Sequence, residues 1–555
     1  MQTQNLIGGA WLAANYSIEP VMPLQTLSRI GRRRATQVLE GINTETYVES
    51  MRPSATLRGH LTFHLKHEVS HLELLSQLFT KIDPRELTDW VADEPSGQYA
   101  KRAGFLYEFL TGKTLEINAA ITGSYIDVLD GTKLVVASPE QSISNRRWRV
   151  RDNLPGTRVF CPLIRKTEDS VNAMGIDVPS LISELALEFG EELLMRSTVW
   201  MTLRESKSSF AIEGEADQSD RIQRFVDVLS RRTGQGSWPL NQAALAELQS
   251  EILGKRTTLQ HFGIRQSPVF VGEVARYQEV VHYIAPPAED VTEMLEGLVT
   301  FLERTQGQSS VMRSAVAAFG FVYIHPLADG NGRVHRFLIN DILRRDGAVK
   351  DPMILPVSSL ITSNHTERHA YDRILDEISR PLMQSLTGLY EFVPNHTPYP
   401  DGIRSNFVFH GNDSARHTWR HLDLTRHVTY LAHVLGRTIR EDMREESRYM
   451  RSHAQAKIAI KGIVEMPDMQ IDRIIRSAQS NQGKLSKVLA KEIPILDEPG
   501  VWDAILKAIE LAFRDGSEGS AYSTNTWTVI PATLGQSFHQ HLDTHSSGTW
   551  TDLMF

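Results

Sequence analysis

One stretch, YIHPLADGNGRVHR (Tyr323–Arg336), constrains this chain more than any other. Upstream of it, SVMRSAVAAFGFVYI sets Val311, Ala315, Ala318, Phe319 and Val322 on one stripe, the pattern of a buried helix. Pro326 disfavours helical geometry at His325 and ends that helix. Asp329-Gly330-Asn331-Gly332 is turn chemistry. Helix then resumes, with Val334, Phe337, Leu338 and Ile342 toward a core. The expectation is a tight loop ending at a helix N-terminus, where free N–H groups and the helix dipole favour an anion.

The side chains on that loop point to phosphate chemistry. Arg333 and Arg336 stand three residues apart on the first turn. Two cations at the positive end of a helix are unfavourable unless a polyanion offsets them. Asp329 adds a hard carboxylate suited to Mg²⁺ on phosphate oxygens. His325 has an ordinary pKa close to neutrality and can serve as a general base. A base, a metal ligand, an anion cradle and two phosphate clamps suggest transfer of a phosphorus-containing group to a hydroxyl. A purely structural corner would explain the glycines and Pro326 but not the histidine, acid and arginines together.

Other motifs carry less. HEVSH, His67–His71, matches a zinc-helix pattern, with His60 and His64 on the same stripe, but nothing names a third ligand. An ordinary helix face is the preferred reading. TGKT at Thr111–Thr114 lacks the glycine of a P-loop, since Tyr107 stands there. His335 replaces the third glycine of a dinucleotide fingerprint. HQHLDTH reads as solvated tail.

The whole chain sets the frame. At 555 residues it exceeds one core. A composition of 41% hydrophobic and 23% charged residues is globular, and a net charge of −8 gives no global pull toward nucleic acid. The single Cys161 precludes an internal disulfide and reads as a buried small hydrophobe, which fits a cytoplasmic location. Neither a signal peptide nor a membrane span is expected. Residues 20–115 read mostly as helix, and 116–165 as short strands and turns. Helix returns from about 178. SPVFVGEVARYQEVVHYIAPP reads as a β-hairpin, and helices are expected over 288–306, 309–324 and 333–346.

With those residues in place, the loop resembles the signature of the Fic (filamentation induced by cAMP) family, HxFx(D/E)GNGRxxR. Seven of its eight fixed positions match, Leu327 standing where the family prefers phenylalanine. SSFAIEGE resembles the family's inhibitory pattern, (S/T)xxxE(G/N), through Ser209, Glu213 and Gly214. The resemblance covers roughly residues 180–515, its last part through a C-terminal segment found in longer Fic proteins. It implies a mainly α fold: a Fic-type helical core with a small β-hairpin flap, an N-terminal α+β accessory region and a C-terminal helical region. The expected boundaries are 1–170 for the accessory region and 178–395 for the core, its inhibitory helix at about 195–215. A linker is expected over 396–419. Helices over 420–514 would be winged-helix-like around QGKLSKVLAKEI, and 515–555 would be a flexible tail.

The resemblance also implies protein adenylylation. ATP phosphates would lie on Gly330, Asn331 and Gly332. Asp329 would hold Mg²⁺, while Arg333 and Arg336 grip phosphates. His325 would deprotonate a Tyr, Thr or Ser hydroxyl of a protein, the chain itself included. A flap around Phe270, Val271, His282 and Tyr283 would align the target by strand addition. Glu213 would pair with Arg336 and hold the enzyme autoinhibited. No membrane partner is expected, nucleic acid is disfavoured and a homodimer stays open. The alternatives are a Fic-fold enzyme that moves another group or removes AMP, and a non-catalytic regulator binding DNA or a protein partner.

Overall fold

The computed structural model describes all residues except 1–4, 40–41, 217, 255–256, 258, 276–277 and 516–555, so the expected tail falls almost wholly outside the described residues. Described residues within Met1–Val178 and Thr202–Gly436 form one compact unit; those within Pro179–Met201 and from Arg437 onward form a second. The fold is mainly α, with four small sheets among the described residues.

The first unit opens with α1 (Gly8–Asn15), β1 (Thr26–Ile30), β2 (Ala35–Leu39), β3 (Ile42–Tyr47), α2 (Leu57–His67), α3 (Leu72–Lys81), α4 (Pro84–Asp93) and α5 (Gln98–Thr111). The three strands order as β1-β3-β2, with β1 parallel and β2 antiparallel to β3. This corrects the helical reading of residues 20–115. The helical period begins only at Leu57; before it, the β-branched and aromatic residues of TQVL and INTETY favour a pleated strand. The HEVSH motif is not one helix face either. His67 is the last residue of α2, and His71 is the N-cap of α3, accepting from the Leu74 N–H at 3.1 Å. Short strands β4 (Ile126–Asp127), β5 (Ile143–Asn145) and β6 (Val150–Asp152) follow, then α6 (Glu168–Met174).

After α7 (Val178–Phe189), the helix α8 (Glu191–Ile212) brings the chain back to the first unit. There follow α9 (Ser219–Arg232), α10 (Gln242–Leu253), the antiparallel hairpin β7 (Phe270–Ala275) and β8 (Gln278–Ile284), α11 (Ala288–Arg304), α12 (Ser310–Ile324), α13 (Asn331–Arg345), α14 (Val357–Ile361) and α15 (His365–Ser385). Every residue of α12 from Val311 to Ile324 is buried, as an all-round apolar helix requires. Arg313 is accommodated within it because Asp346 accepts its Nε at 2.7 Å.

Residues 396–419, expected as a linker, instead complete a second hairpin, β9 (Tyr390–Pro398) with β10 (Arg404–Phe409), and form α16 (Asn412–Arg420). The Pro and Gly punctuation there marks the hairpin turn around Asp401-Gly402 rather than a break between bodies. Helix α17 (Thr425–Arg437) also belongs to the first unit up to Gly436.

The described residues up to Val178 are part of the same compact unit as the helices around Tyr323–Arg336. Phe160 lies against α11 and α12 where each presents a glycine: a Cβ on Gly297 would meet Phe160 Cβ at 2.7 Å, and one on Gly320 would meet its ring at 3.3 Å. Backbone bonds from Cys161 N–H to Arg420 O (2.8 Å) and from Leu163 N–H to Leu422 O (2.8 Å) join the two stretches.

The second unit contains α18 (Arg444–Lys461), α19 (Asp468–Ser480), α20 (Lys487–Glu492) and α21 (Val501–Asp515) around Ile460, Ile471, Ile475, Ile505 and Ile509. Its breaks fall at MPDM and NQGKL, as their turn chemistry predicts. No described helix is long and apolar enough to cross a membrane.

Candidate active site

The α12–α13 junction carries the loop. His325 caps α12 in the left-handed region (φ 51°, ψ 58°), and its N–H still donates to Phe321 O at 2.9 Å. A histidine held there costs about 1 kcal/mol of backbone strain, which the surrounding packing must offset. Its Nδ1 lies 3.1 Å from Val322 O. A carbonyl can only accept, so the proton sits on Nδ1 and Nε2 keeps its lone pair. Burial, and secondarily the nearby charge of Arg265, push the imidazole pKa down to about 3. The ring is therefore neutral, the form a general base needs.

Asn331 closes the loop. Its Oδ1 accepts from the Leu327 N–H at 2.9 Å and its Nδ2 donates to Leu327 O at 2.8 Å. The side chain is committed to this clasp, so only its backbone N–H is left to face an anion, a narrower role than the sequence suggests. Leu327 is fully buried and anchors the loop where phenylalanine was expected. Gly330 precedes α13 with φ 93°, a conformation that glycine adopts without strain.

Both arginines of the motif are buried and held by acids. Arg336 donates from Nη2 to Glu213 Oε1 at 2.5 Å, and from Nε and Nη2 to Ser209 Oγ (2.7 Å) and Ser209 O (3.0 Å). Glu213 itself lies in the turn just beyond α8, whose left-handed residue is Gly214 (φ 70°). Arg333 bridges two carboxylates, Asp329 Oδ1 at 2.6 Å and Glu215, and stacks 5.3 Å from the Phe210 ring. Glu215 also accepts from Arg221 at 2.7 Å. The two cations at the positive end of α13 are thus neutralised from within the chain. The Glu213 carboxylate occupies the first turn of α13 itself: a Cβ built on Gly332 would lie 2.0 Å from its Oε1.

Asp329 keeps 31% of its side chain exposed while Oδ1 pairs with Arg333. One rim carboxylate fits Mg²⁺, which commonly takes one or two protein carboxylates together with substrate phosphates.

The hairpin β7–β8 forms where expected, but two of the four side chains read as its docking face, Val271 and Tyr283, are buried. Tyr283 is buried and donates to Tyr323 O at 2.5 Å, and Val271 is also buried. The Phe270 ring packs 5.3 Å from Phe392 and 4.8 Å from Phe407. His282 is half-buried, 3.8 Å from Glu273. These side chains attach the hairpin to the unit, while Val280 on β8 stays exposed.

Sequence reasoning missed Glu215, Arg265 and Gln249. Glu215 had a visible signal, an acid two residues beyond Glu213. The other two act on backbone atoms, which leave no spacing pattern.

A family model described as the Fic/DOC family matches residues 239–343. Protein adenylyltransferase fic-1 of Caenorhabditis briggsae is 34% identical over 117 residues, which are 21% of this chain and 21% of that protein. Protein adenylyltransferase Fic of Drosophila mojavensis is 31% identical over 114 residues, 20% of each chain. The chain thus spans about a fifth of the length of these curated relatives. Among solved structures, a Fic family protein from Desulfovibrio desulfuricans G20 aligns with 53% of this chain and 80% of that one, at 20% identity and a TM-score of 0.35.

Proposed function

We propose, for a chain whose residues 239–343 match the Fic/DOC family, that it is a protein adenylyltransferase held in an autoinhibited state. The observation that carries this reading is the Glu213 carboxylate in the first turn of α13, bonded to Arg336, where a phosphate would otherwise sit. A second acid, Glu215, occupies Arg333.

The reaction follows from the loop. Once ATP replaces the two carboxylates, backbone N–H groups of the first turn of α13 and the guanidinium groups of Arg333 and Arg336 hold its phosphates. Nε2 of His325 takes the proton of a Tyr, Thr or Ser hydroxyl on a protein. The oxygen then bonds to the α-phosphorus while the bond to the β-phosphate oxygen breaks, and pyrophosphate leaves. Mg²⁺ at Asp329 would supply charge neutralisation on the phosphates. The backbone of the hairpin would align the target by strand pairing.

The test is Glu213→Gly incubated with ATP labelled at the α- or the γ-phosphate, with His325→Ala in the same background as control. Retention of α-label alone, lost with His325→Ala, supports AMP transfer. Retention of γ-label would mean phosphate transfer, and no α-label with any protein target would sink the reading. The same assay with labelled UTP reads nucleotide preference.

A further inference from the structure

The segment Gly263–Ser267 runs alongside His325–Asp329 and touches it along its length. Ile264 bridges Leu327 in antiparallel sense, and Arg265 N–H donates to Pro326 O at 2.8 Å. At one end, buried Gln249 on α10 accepts from Gly263 N–H at 2.7 Å and donates to Asp329 O at 2.7 Å. At the other end lies the guanidinium of Arg265, fully buried. It donates from Nε to His325 O (2.7 Å), from Nη1 to Ser267 O (2.8 Å) and from Nη2 to Pro286 O (2.5 Å). Ser267 precedes β7 and Pro286 follows β8, so one side chain gathers His325 and both ends of the hairpin. Asp401, in the turn between β9 and β10, holds the same segment by accepting from the N–H groups of Gln266 and Ser267, each at 2.8 Å.

A buried guanidinium bonded to three carbonyls is costly to desolvate. Its acceptors lie on three separate stretches of chain, whose spacing it sets. We infer that Gln249 and Arg265 are positioning residues that register the two ends of the reactive loop. Gln249 sets the Asp329 end, where nucleotide and metal bind. Arg265 sets the His325 end and ties it to the hairpin, so that seating of a target strand and placement of the base move together. Neither side chain touches a reacting atom. The inference rests on the adenylyltransferase reading for its kinetic consequences but not for its structural ones.

The test uses the full chain in the Glu213→Gly background with two variants. Arg265→Lys keeps the charge but cannot span three carbonyls. Gln249→Glu keeps the acceptor for Gly263 and turns an oxygen toward the Asp329 carbonyl. In Arg265→Lys, amide hydrogen exchange rises about tenfold in the His325 loop and in β7 and β8 together, the effect of losing about one hydrogen bond's worth of stability. Its kcat for self-labelling falls about 100-fold, as for a base displaced by about 1 Å, while the Kd of a non-hydrolysable ATP analogue with Mg²⁺ stays within about twofold. In Gln249→Glu the exchange rise is confined to residues around Leu327–Gly332, and the same Kd weakens about tenfold. Exchange that rises in only one of the two segments in Arg265→Lys, or in neither, overturns the inference. So do kcat and affinity falling by one common factor in both variants. If Arg265→Lys does not fold, the Gln249→Glu pattern decides alone. A Glu213→Gly parent that takes no label while the exchange pattern holds refutes the transfer reading and leaves the positioning inference standing.

Discussion

Gly332→Ala isolates the contact on which the proposed autoinhibition depends. A Cβ at this position would stand 2.0 Å from Glu213 Oε1, 2.8 Å from its Cδ and 3.2 Å from Arg336 Nη2. The first two distances are far inside van der Waals contact, and the obstructing atoms are the end of a flexible side chain, so Glu213 yields rather than the helix. Yielding breaks its bond to Arg336. A hydrogen bond to a charged group contributes about 1.5–3 kcal/mol, and glycine-to-alanine within a helix returns up to about 1 kcal/mol. Gly332→Ala alone should therefore destabilise by about 0.5–3 kcal/mol. In the Glu213→Gly background the tightest remaining contact of those three is Arg336 Nη2, which must shift by a few tenths of an ångström, and the same substitution should be neutral or stabilising by up to about 1 kcal/mol. The coupling energy of the cycle is then about 1.5–3 kcal/mol, read from urea denaturation of the four chains. Additive effects would refute the placement of the Glu213 carboxylate against α13, and with it the argument that this acid stands where a phosphate binds.

Three further outcomes follow from the same geometry. Asn331→Ala removes both bonds of the clasp to Leu327 and should cost about 2 kcal/mol in chemical denaturation; a cost below about 0.5 kcal/mol would show the loop closes without it. The kcat/KM profile of Glu213→Gly should show no acid limb from His325 between pH 5 and 8, because the folded imidazole, at about 3, stays neutral throughout that range. An inflection near the ordinary histidine value that disappears in His325→Gln would contradict the buried environment. Acid should also destabilise the fold: burial holds His60 at about 4 and His325, His335, His421 and His427 at about 3. Their folded values lie below the unfolded one, so their contribution is complete above about pH 6.5 and is lost as pH falls toward 4, by up to about 1.4 kcal/mol per pH unit for each. Buried Glu73, raised to about 7, offsets one of them. Thermal unfolding that is no easier at pH 5 than at pH 7 would argue against these burials.

Much of the reactive loop was legible because its chemistry is short-range. Pro326 ends a helix, Gly330 turns the chain, and the apolar stripe of α12 announces burial; each effect operates within a few residues. The hairpin β7–β8 and the breaks in the second unit were readable for the same reason. The strands β1–β3 were less legible, since short half-buried strands next to a strong helical pattern carry little periodic signal. The linker expected at 396–419 failed because turn residues look alike whether they reverse a hairpin or separate two bodies.

By itself, then, the amino-acid order determined which residue types gather at the α12–α13 junction, how that junction turns, and that an acid at 213 is available to meet Arg336. Only the tertiary structure decided that Glu215 takes Arg333, that Tyr283 and Val271 are buried, and that Phe160 packs against α11 and α12. It also decided that Arg265 and Gln249 hold the loop by its carbonyls. The physical reason is the same in each case. Local backbone preferences are written in neighbouring residues, whereas a buried side chain meets partners tens or hundreds of positions away, often through peptide groups that every residue shares.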